Sequence, residues 1–474
     1  MSQTIHYPCK GRSVEEALSQ ETFNRLTANI FSWQQGPGTV GGLCFHACWS
    51  WTSCLGRRYQ GQIVILYYEL LQGVMLLYDR TKNPRWKRLA ADIVSNVLFL
   101  QCADGGFRHG DGLREPVYDS SLTCPIHQFL PVCALLDYAV WEHADPVLRD
   151  LVKPAVDRHW EWSKEKFWQK GNPFQHPLKA GWSAVTNQDM TAIASLSAYA
   201  KAYGDRSRYE AYGKPALDIF LSPAYYHEKI GVFERGDGRN FVERTSYHTV
   251  VLKMLERIYS DVGDERIPAI IENVSSHFFD AAYQAPDGMT HLAWGAQTDP
   301  EDKSDVPGWI CEPSVVGEWP KLIGYMEQYL RQNPNAEKQK VLDALKETLC
   351  AYIFEDGTIP GALRSAEPII TVSNVNAYSI PFWTWLAEYL GDEVRDPQPV
   401  AELCIHRSLG ELTWKNRGSM WAIEKAGKRE FGGYKPAVLY GMTHGPEEKP
   451  ACGSYDDLEN CDIHEMLEEM PADQ

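Results

Sequence analysis

The stretch Gly181–Asp205, GWSAVTNQDMTAIASLSAYAKAYGD, predicts a helix that has close neighbours on every side. Thr186 and Asn187 are residue types that cap helix N-termini, and Gly204 is placed to end the helix in a left-handed conformation. Between them, alanine and serine side chains lie on most faces of the predicted helix. Asp189 stands in the first turn, where the helix dipole stabilises a carboxylate. A second helical pattern follows within a few residues, so the stretch begins a helical hairpin.

Variants of this hairpin recur along the chain with a period of about 60 residues. The first helices are predicted to begin near Gly61, Cys124, Asn187, Arg244, Pro313 and Asn374, and the second near Pro84, Pro146, Ser207, Asp264 and Ala336. The turns within a pair are short and the loops between pairs are long, which places all long loops at one end. We therefore predict an all-α fold, an (α/α)6 toroid with its first helices inside, over residues 1–410. Residues 411–474 are expected to be a small C-terminal extension, partly disordered because of its acidic composition.

The partner of the last first helix is either Pro399–Leu409 or an N-terminal helix over residues 13–30. Four of the long loops begin with a similar short sequence, which we call a seed: Asp104–Phe107, Ile230–Phe233, Asp287–Met289 and Asp356–Ile359. Their glycines predict a turn that leads into a short extended segment. Three prolines inside the predicted first helices, Pro131, Pro320 and Pro381, are expected to mark the true first turns.

The composition excludes several classes of function. A formal net charge of −17 disfavours nucleic acid as a partner, so an anionic substrate would need local arginines. The most apolar run, Ile63–Leu77, is interrupted by Glu69 and Gln72 and is too short to cross a membrane. No P-loop, dinucleotide-binding or nucleophile-elbow sequence is found in its proper context, so we expect no cofactor. The N-terminus lacks an apolar signal segment and the 12 cysteines show no disulfide framework, so we expect a cytoplasmic protein.

The predicted end with the long loops collects polar and aromatic residues at helix N-termini, where functional sites are commonly built. Asp119 and Asp189 lie at similar points of consecutive repeats, and glycosidic hydrolysis needs two carboxyl groups, one acid and one base. The candidate catalytic residues are Asp119, Asp189, Tyr247 and His248. The candidate substrate-binding residues are Tyr118, Trp182, Asn187, Glu243, Arg244, Trp309, Glu312, Glu318, Asn376 and Tyr378. Cys44, His46 and Cys48 have no second ligand pair at zinc-finger spacing, so no metal site is expected.

This arrangement resembles the unsaturated glucuronyl hydrolases and their rhamnogalacturonyl relatives at the level of the repeat pattern, over about residues 60–390. The resemblance implies a cytoplasmic (α/α)6 enzyme with two aspartates at the starts of successive inner helices. In that family, the counterpart of Asp189 acts as acid and base on the water added to an unsaturated uronate ring. The resemblance therefore implies a glycoside hydrolase for a small oligosaccharide, with a uronate as a candidate sugar, and no further partner.

Three alternatives remain open. The run Glu243–His248 with Asn187 resembles the Tyr, His, Asn and Arg sets of (α/α)-toroid polysaccharide lyases, which abstract a proton beside a neutralised uronate. Phe99-x-Gln101-x-x-x-Gly105-x-Phe107 resembles the QW repeat of squalene-type terpene cyclases, and Cys44, His46, Cys48 and Tyr118 could serve the chemistry of linalool dehydratase/isomerase-like toroids. A toroid without catalytic activity, used as a binding scaffold, is the remaining possibility. The oligomeric state is not determined by the sequence.

Overall fold

The computed structural model describes residues 4–5, 7, 9–32, 65–107, 125–168, 185–236, 242–297, 308–313, 316–354, 357–359, 362–366, 369–373 and 375–398. It divides into two compact units, which are described separately. The first unit comprises Met1–Leu89, Gly110–Val117 and Leu349–Gln474, and the second comprises Ala90–His109 and Tyr118–Thr348. The predicted boundary at residue 410, the C-terminal extension and the Cys44–Cys48 cluster lie outside the described residues.

The described chain is mostly helical, and its helices alternate as the repeat predicts. In chain order they are α1 (Val14–Ala17), α2 (Gln20–Ser32), α3 (Ile65–Thr81), α4 (Pro84–Phe99), α5 (Pro125–Val140), α6 (Pro146–Lys166), α7 (Thr186–Tyr203), α8 (Lys214–Phe220), α9 (His248–Val262), α10 (Ile267–His277), α11 (Trp319–Gln332), α12 (Ala336–Tyr352) and α13 (Val375–Leu390). Each predicted helix start lies within a few residues of an observed one, except that a short π-helical segment, Tyr209–Gly213, precedes α8. The helical hairpins are therefore confirmed.

Short strands lie in the segments between the hairpins. They are β1 (Thr4–Ile5), β2 (Tyr226–His227), β3 (Val232–Phe233), β4 (Ala282–Gln284), β5 (Thr290–Gln297), β6 (Gly308–Pro313), β7 (Ala362–Ala366) and β8 (Ile369–Ser373). All their pairings are antiparallel and form the small sheets β1-β7-β8, β2-β3 and β4-β5-β6. The sequence predicted only short extended segments here, so the three-stranded sheets are an addition to the predicted fold.

In the second unit, α7 is buried on nearly all sides, as its small side chains predict. It packs between α5 and α9, and a charged pair joins these two helices: Arg257 of α9 binds Asp137 of α5 at 2.8 and 2.5 Å. Ser197 of α7 donates a hydrogen bond to Asp261 of α9 at 3.1 Å. By contrast, α6 buries one side only, at helical spacing, through Val152, Ala155, Val156, His159, Trp160 and Ser163.

The predicted cap of α7 is wrong in one respect. Val185 is the N-cap residue and makes no side-chain cap, and Thr186 and Asn187 already belong to the helix. The cap is supplied from inside the helix, because the Asp189 carboxylate accepts the Val185 N–H at 2.7 Å. Gly204 ends the helix with a φ of 70°, as predicted, since a left-handed residue favours glycine.

In the first unit, the N-terminal helix is the partner of the last first helix. Phe23 of α2 stacks on Trp383 of α13 at 5.7 Å, and Trp383 Nε1 donates to Thr27 Oγ1 at 2.8 Å. The other side of α13 lies on α3, where Thr384 Oγ1 donates to the Glu69 carbonyl at 2.8 Å. This supports the N-terminal alternative, and Pro399–Leu409 lies outside the described residues.

The proline prediction is right for one residue and wrong for two. Pro320 lies in the first turn of α11, where a missing N–H costs nothing because that N–H would have no helical partner. Pro131 and Pro381 lie inside α5 and α13, where each removes one helical hydrogen bond. Both helices are buried, so packing holds them together across the interruption.

The four seeds fold as turns. Gly105, Gly231, Gly288 and Gly357 all have positive φ angles, between 58° and 102°. At Gly105 space is also limiting, because a Cβ would lie 2.7 Å from the Arg158 carbonyl oxygen. The turn after α4 is further held by Gln101, whose Nε2 donates to the carbonyls of Gly105 and Ala155 at 2.9 and 2.8 Å. The QW-like residue Gln101 thus connects the end of α4 to α6 and has a structural role here.

Three seeds are fastened to the next first helix in the same way. The N–H of Phe107 donates to Gln128 Oε1 of α5 at 2.7 Å, and that of Ile359 donates to Ser379 Oγ of α13 at 3.2 Å. The N–H of Phe233 donates to His248 Nε2 of α9 at 3.0 Å. Each of these N–H groups is buried, so a side-chain acceptor removes the cost of leaving it unpaired. Gln128, His248 and Ser379 therefore perform one structural task in three repeats.

The close packing of α3 against α13 gives a testable prediction. A Cβ at Gly73 would lie 2.7 Å from Thr384 Oγ1 and would also meet the Trp383 ring. Gly73→Ala should therefore destabilise the protein by about 1–3 kcal/mol through overpacking, although alanine in a helix usually stabilises by about 1 kcal/mol. Thermal unfolding would measure it, with the exposed Ser95→Ala of α4 as a control that changes little. A higher midpoint for Gly73→Ala would contradict the packing.

Candidate active site at the N-terminal ends of α7, α9 and α11

The site in the second unit is built on a hairpin between β3 and the start of α9. Glu234 bridges Val242 in antiparallel fashion, and the Glu243 N–H donates to the Phe233 carbonyl at 2.6 Å. This hairpin lies against the N-terminal end of α7. Thr186 donates its N–H to the Arg235 carbonyl at 2.9 Å and its hydroxyl to the Glu234 carbonyl at 2.5 Å. The loop that follows the helical hairpin α7–α8 is thus fixed to the first helix of that same hairpin.

A buried ion pair lies on one face of this hairpin. Arg235 Nη1 contacts Glu243 Oε1 at 2.7 Å, and the Arg244 N–H donates to the same oxygen at 3.0 Å. Glu243 is fully buried, and burial raises the pKa of its carboxyl although Arg235 opposes the shift. Its second oxygen, Oε2, has no hydrogen-bond partner among the described residues. One carboxyl oxygen is therefore fixed and the other remains available.

Sequence reasoning missed Arg235. A signal was present, because the near-identical tetrapeptides Val-Phe-Glu-Arg and Phe-Val-Glu-Arg flank the turn sequence Gly236-Asp-Gly238. Two such copies around a turn are typical of a β-hairpin. Antiparallel pairing would then have placed the arginine of the first copy on the same face as the glutamate of the second.

Arg244 and Tyr247 form the half-buried part of the site. Arg244 Nη1 donates to the Tyr247 hydroxyl at 3.2 Å, and its guanidinium lies 4.7 Å from the ring centre of Trp294 in β5. The Arg235 guanidinium lies 5.3 Å from the centre of the Tyr247 ring. The guanidinium groups of Arg235 and Arg244 therefore both lie close to the Tyr247 ring.

The geometry of His248 argues against proton transfer. Its Nε2 accepts the Phe233 N–H at 3.0 Å, and its Nδ1 lies 3.1 Å from the Arg244 carbonyl, to which it donates. Burial lowers the pKa of His248 to about 4, so the ring is neutral at pH 7. Both nitrogens are thus engaged with the backbone, in the task that Gln128 and Ser379 perform elsewhere. This geometry gives His248 the task of a brace for the seed, and its catalytic role stays a prediction.

Asn187 and Asp189 lie in the first turn of α7. Asp189 is fully buried and caps Val185, so its carboxylate has a structural task whatever else it does. Asn187 is 5% exposed, and its Oδ1 has no hydrogen-bond partner in the described part of the chain. Nine-tenths or more of buried polar atoms in proteins are paired, so an unpaired amide oxygen at a helix end indicates a place for a ligand or water.

The N-terminal end of α11 is joined to the same network. Thr249 of α9 donates to Glu318 Oε2 at 3.3 Å, and Glu318 precedes α11 directly. His291 of β5 meets the edge of Trp319, with ring centres 5.6 Å apart, and burial lowers its pKa to about 4. Glu243, Arg244 and Tyr247 are therefore joined by hydrogen bonds, Asn187 and Asp189 lie at the end of α7 that Thr186 ties to the same hairpin, and Glu318 is bonded to α9.

The remaining predicted residues lie in other elements or outside the described residues. Trp309 of β6 packs against the apolar cluster of Ile230, Val232, Val242 and Ala296. Tyr378 is half-buried in α13 of the first unit. Glu312 and Asn376 lie in β6 and α13, and the structure does not describe their side chains. Tyr118, Asp119 and Trp182 lie outside the described residues, so the pairing of Asp119 with Asp189 stays a prediction.

The described residues contain neither a membrane-spanning helix nor a candidate metal site. No helix in those segments is both long enough and apolar enough to cross a membrane. Within the same segments, histidine, cysteine, aspartate and glutamate side chains form no group of three or more that could hold a metal ion.

The brace assigned to His248 can be tested by substitution. His248→Gln should keep turnover, because glutamine does the same work at position 128, whereas His248→Phe should lower the thermal midpoint. Since the folded-state pKa of His248 is about 4 and the ordinary value is 6.5, its contribution is present above pH 6.5 and lost as the pH falls towards 4. As the pH is lowered from 6.5 to 4, the midpoint of thermal unfolding should therefore fall less steeply for His248→Gln than for the unsubstituted protein. Loss of turnover by a factor of about 10²–10⁴ in His248→Gln, with an unchanged midpoint, would instead show a proton-transfer role.

Comparison with known proteins supports the fold. No family model matches this chain, and no curated protein matches it in sequence. Its structure is similar to that of a D-mannose isomerase, with a TM-score of 0.54 and 10% identity over 80% of this chain and 100% of that one. It is also similar to the cellobiose 2-epimerase from Bacillus thermoamylovorans B4167, with a TM-score of 0.53 and 10% identity over 78% of this chain and 98% of that one. A sugar epimerase from a ruminal bacterium matches with a TM-score of 0.50 and 11% identity over 70% of this chain and 89% of that one. These are α/α-toroid structures, and at such low identity the likeness establishes the fold alone: the predicted fold class is confirmed.

Proposed function

We propose that this protein is a carbohydrate-active enzyme, a glycoside hydrolase acting on a small oligosaccharide that contains a uronate. One observation carries the substrate class: the guanidinium groups of Arg235 and Arg244 lie 5.3 and 5.1 Å from the ring centre of the half-buried Tyr247, and Arg235 is held there by Glu243. The proteins of similar structure described above include two sugar epimerases and a sugar isomerase, which agrees with a carbohydrate substrate.

The charge of the site differs from that of the whole chain. The chain carries a formal net charge of −17, whereas the segment from Glu234 to Arg244 is neutral, because its three arginines balance Glu234, Asp237 and Glu243. The site also lies at the N-terminal ends of α7 and α9, where helix dipoles favour anions. A carboxylate is the anionic group that sugars carry without phosphorylation or sulfation, so a uronate fits this local field.

The aromatic groups favour a sugar ring over a simple acid. Trp294 and Tyr247 present ring faces beside Arg244, and such rings bind the apolar faces of sugars while arginine binds the polar edge. Asn187 Oδ1 and Glu243 Oε2 add two acceptors at the same helix ends for sugar hydroxyl groups.

Hydrolysis needs two carboxyl groups, and the described network offers Asp189 and Glu243. Asp189 is held at a fixed position by Val185, and Glu243 by Arg235 and the Arg244 N–H. A buried carboxyl whose pKa is raised, as for Glu243, is suited to a general acid. We propose Asp189 as the acid/base residue, with Asp119 as its predicted partner and Glu243 as the alternative partner.

A second candidate is β-elimination from a saturated uronate, with Tyr247 as the base. It is favoured by the 3.2 Å hydrogen bond from Arg244 to the Tyr247 hydroxyl and by the second cation, Arg235, over the ring. Since His248 is occupied by the backbone, this route would have to use Tyr247 alone for proton abstraction.

Product analysis separates the two reactions. A hydrolase consumes an unsaturated uronyl disaccharide and its ultraviolet absorbance falls, whereas a lyase acting on a saturated polyuronate makes absorbance rise.

For the hydrolase, Asp189→Asn should lower turnover by about 10²–10⁴-fold. Its thermal midpoint should change little, because the asparagine oxygen can still accept the Val185 N–H; Asp189→Ala, which removes the cap as well, serves as the stability control. Full turnover in Asp189→Asn together with none in Tyr247→Phe would favour elimination.

The charge of the substrate is tested with Arg244. Arg244→Met should raise KM about tenfold or more for a uronyl oligosaccharide, since a hydrogen bond to a charged group is worth about 1.5–3 kcal/mol. A matched oligosaccharide whose carboxylate has been reduced to the alcohol should bind weakly to both forms. Arg206→Met, at an exposed ion pair in the same unit, is the control and should leave KM unchanged. Equal KM values for the acid and the alcohol in the unsubstituted protein would exclude a uronate-specific site.

A further inference from the structure

The other face of the site hairpin carries a second ion pair. His227 Nε2 lies 2.7 Å from Glu234 Oε1, and the two side chains are 31% and 11% exposed. His227 pairs with Val232 in the β2–β3 register, and side chains alternate between the two faces of a strand. Glu234 therefore shares the face of Val232 and His227, whereas Arg235 and Glu243 share the opposite face.

The backbone of Glu234 is the junction of the hairpin. Its N–H donates to the Tyr225 carbonyl at 2.7 Å, and its carbonyl accepts the Thr186 hydroxyl at 2.5 Å. It also bridges Val242, which precedes Glu243. The β2–β3 ladder itself has only two register pairs, so few backbone bonds hold this junction in place.

The backbone of Arg235 depends directly on that junction. Its carbonyl accepts the Thr186 N–H at 2.9 Å, and its guanidinium reaches Glu243 at 2.7 Å. A rotation of the strand at Glu234 would move the Arg235 side chain away from both Glu243 and the Tyr247 ring. The side-chain bond from His227 to Glu234 opposes such a rotation, since it ties the residue to the neighbouring strand beyond the end of the ladder.

We propose that His227 and Glu234 are positioning residues of the candidate active site: their ion pair fixes the strand so that Arg235 reaches Glu243 and Tyr247. The inference rests on the proposed function only for its kinetic readout. Its structural readout requires no substrate, so the two can fail separately. Neither residue touches the substrate in this account, because both lie on the face opposite to Arg235.

Amide hydrogen exchange tests the positioning directly. In His227→Gln, the amides of Thr186 and Glu243, bonded to the carbonyls of Arg235 and Phe233, should exchange on the order of tenfold faster. Amides in the interior of α7 should be unchanged. The matched control is His143→Gln, which removes a histidine–glutamate pair of similar length, 3.0 Å, elsewhere in the second unit; it should alter neither amide.

The kinetic readout separates positioning from general stability. His227→Gln and Glu234→Gln should each raise KM for the uronyl oligosaccharide severalfold, and the double variant should be no worse than the worse single one, since both break the same pair. Unchanged exchange at Thr186 and Glu243 would overturn the proposal. So would a uniform increase across all amides of the second unit, because that result would show loss of stability rather than of position. If the protein turns over no uronyl substrate but the two amides respond as expected, the positioning stands and the proposed function fails.

Discussion

The bond between Arg235 and Glu243 is the interaction on which the candidate site depends. It joins two strands of one hairpin through a fully buried carboxylate, at 2.7 Å. Removing a carboxylate from water is costly, and Coulomb attraction offsets that cost only when the geometry is good and further hydrogen bonds assist. Here the Arg244 N–H supplies the further bond at 3.0 Å. The pair contributes little net stability on this argument, and its value lies in fixing where two guanidinium groups stand.

The rest of the second unit is arranged so that this hairpin has a firm support. Helix α7 carries small side chains because α5 and α9 approach it closely, and Arg257 joins those two neighbours through Asp137. Its N-terminal end therefore cannot shift easily, and Thr186 at that end holds the hairpin by two bonds. A rigid helix end with polar groups directed at a loop is a favourable support for a binding site.

The helical repeat could be predicted from the sequence because its signals are local and repeated: periodic apolar residues, glycines after helix ends and loops of alternating length. The hydrogen bonds that individual side chains make to the backbone could not be predicted in this way. Thr186 is a residue type common at the N-cap, but its hydroxyl donates to the Glu234 carbonyl of the hairpin, and Asp189 caps the helix instead. Pro131 was expected to start a helix, yet packing keeps it inside α5. Arg235 was missed because its role depends on the residue that it meets on the neighbouring strand. A single loop residue also belongs to no repeating sequence pattern that could have drawn attention to it.

The repeats also show how to separate structural from functional polar residues. Gln128, His248 and Ser379 occupy comparable places in three repeats, and each accepts the backbone N–H that ends a seed. Three different side chains serve there, so the position requires only a hydrogen-bond acceptor, and the imidazole of His248 meets that requirement. Strand pairs also follow the seeds ending at Met289 and Ile359, as β5–β6 and β7–β8, whereas the hairpin after Phe233 holds a fully buried carboxylate paired with an arginine. Function is therefore to be sought where one repeat departs from the others, and the charged hairpin that holds Arg235, Glu243 and Arg244 is the clearest departure in the described chain.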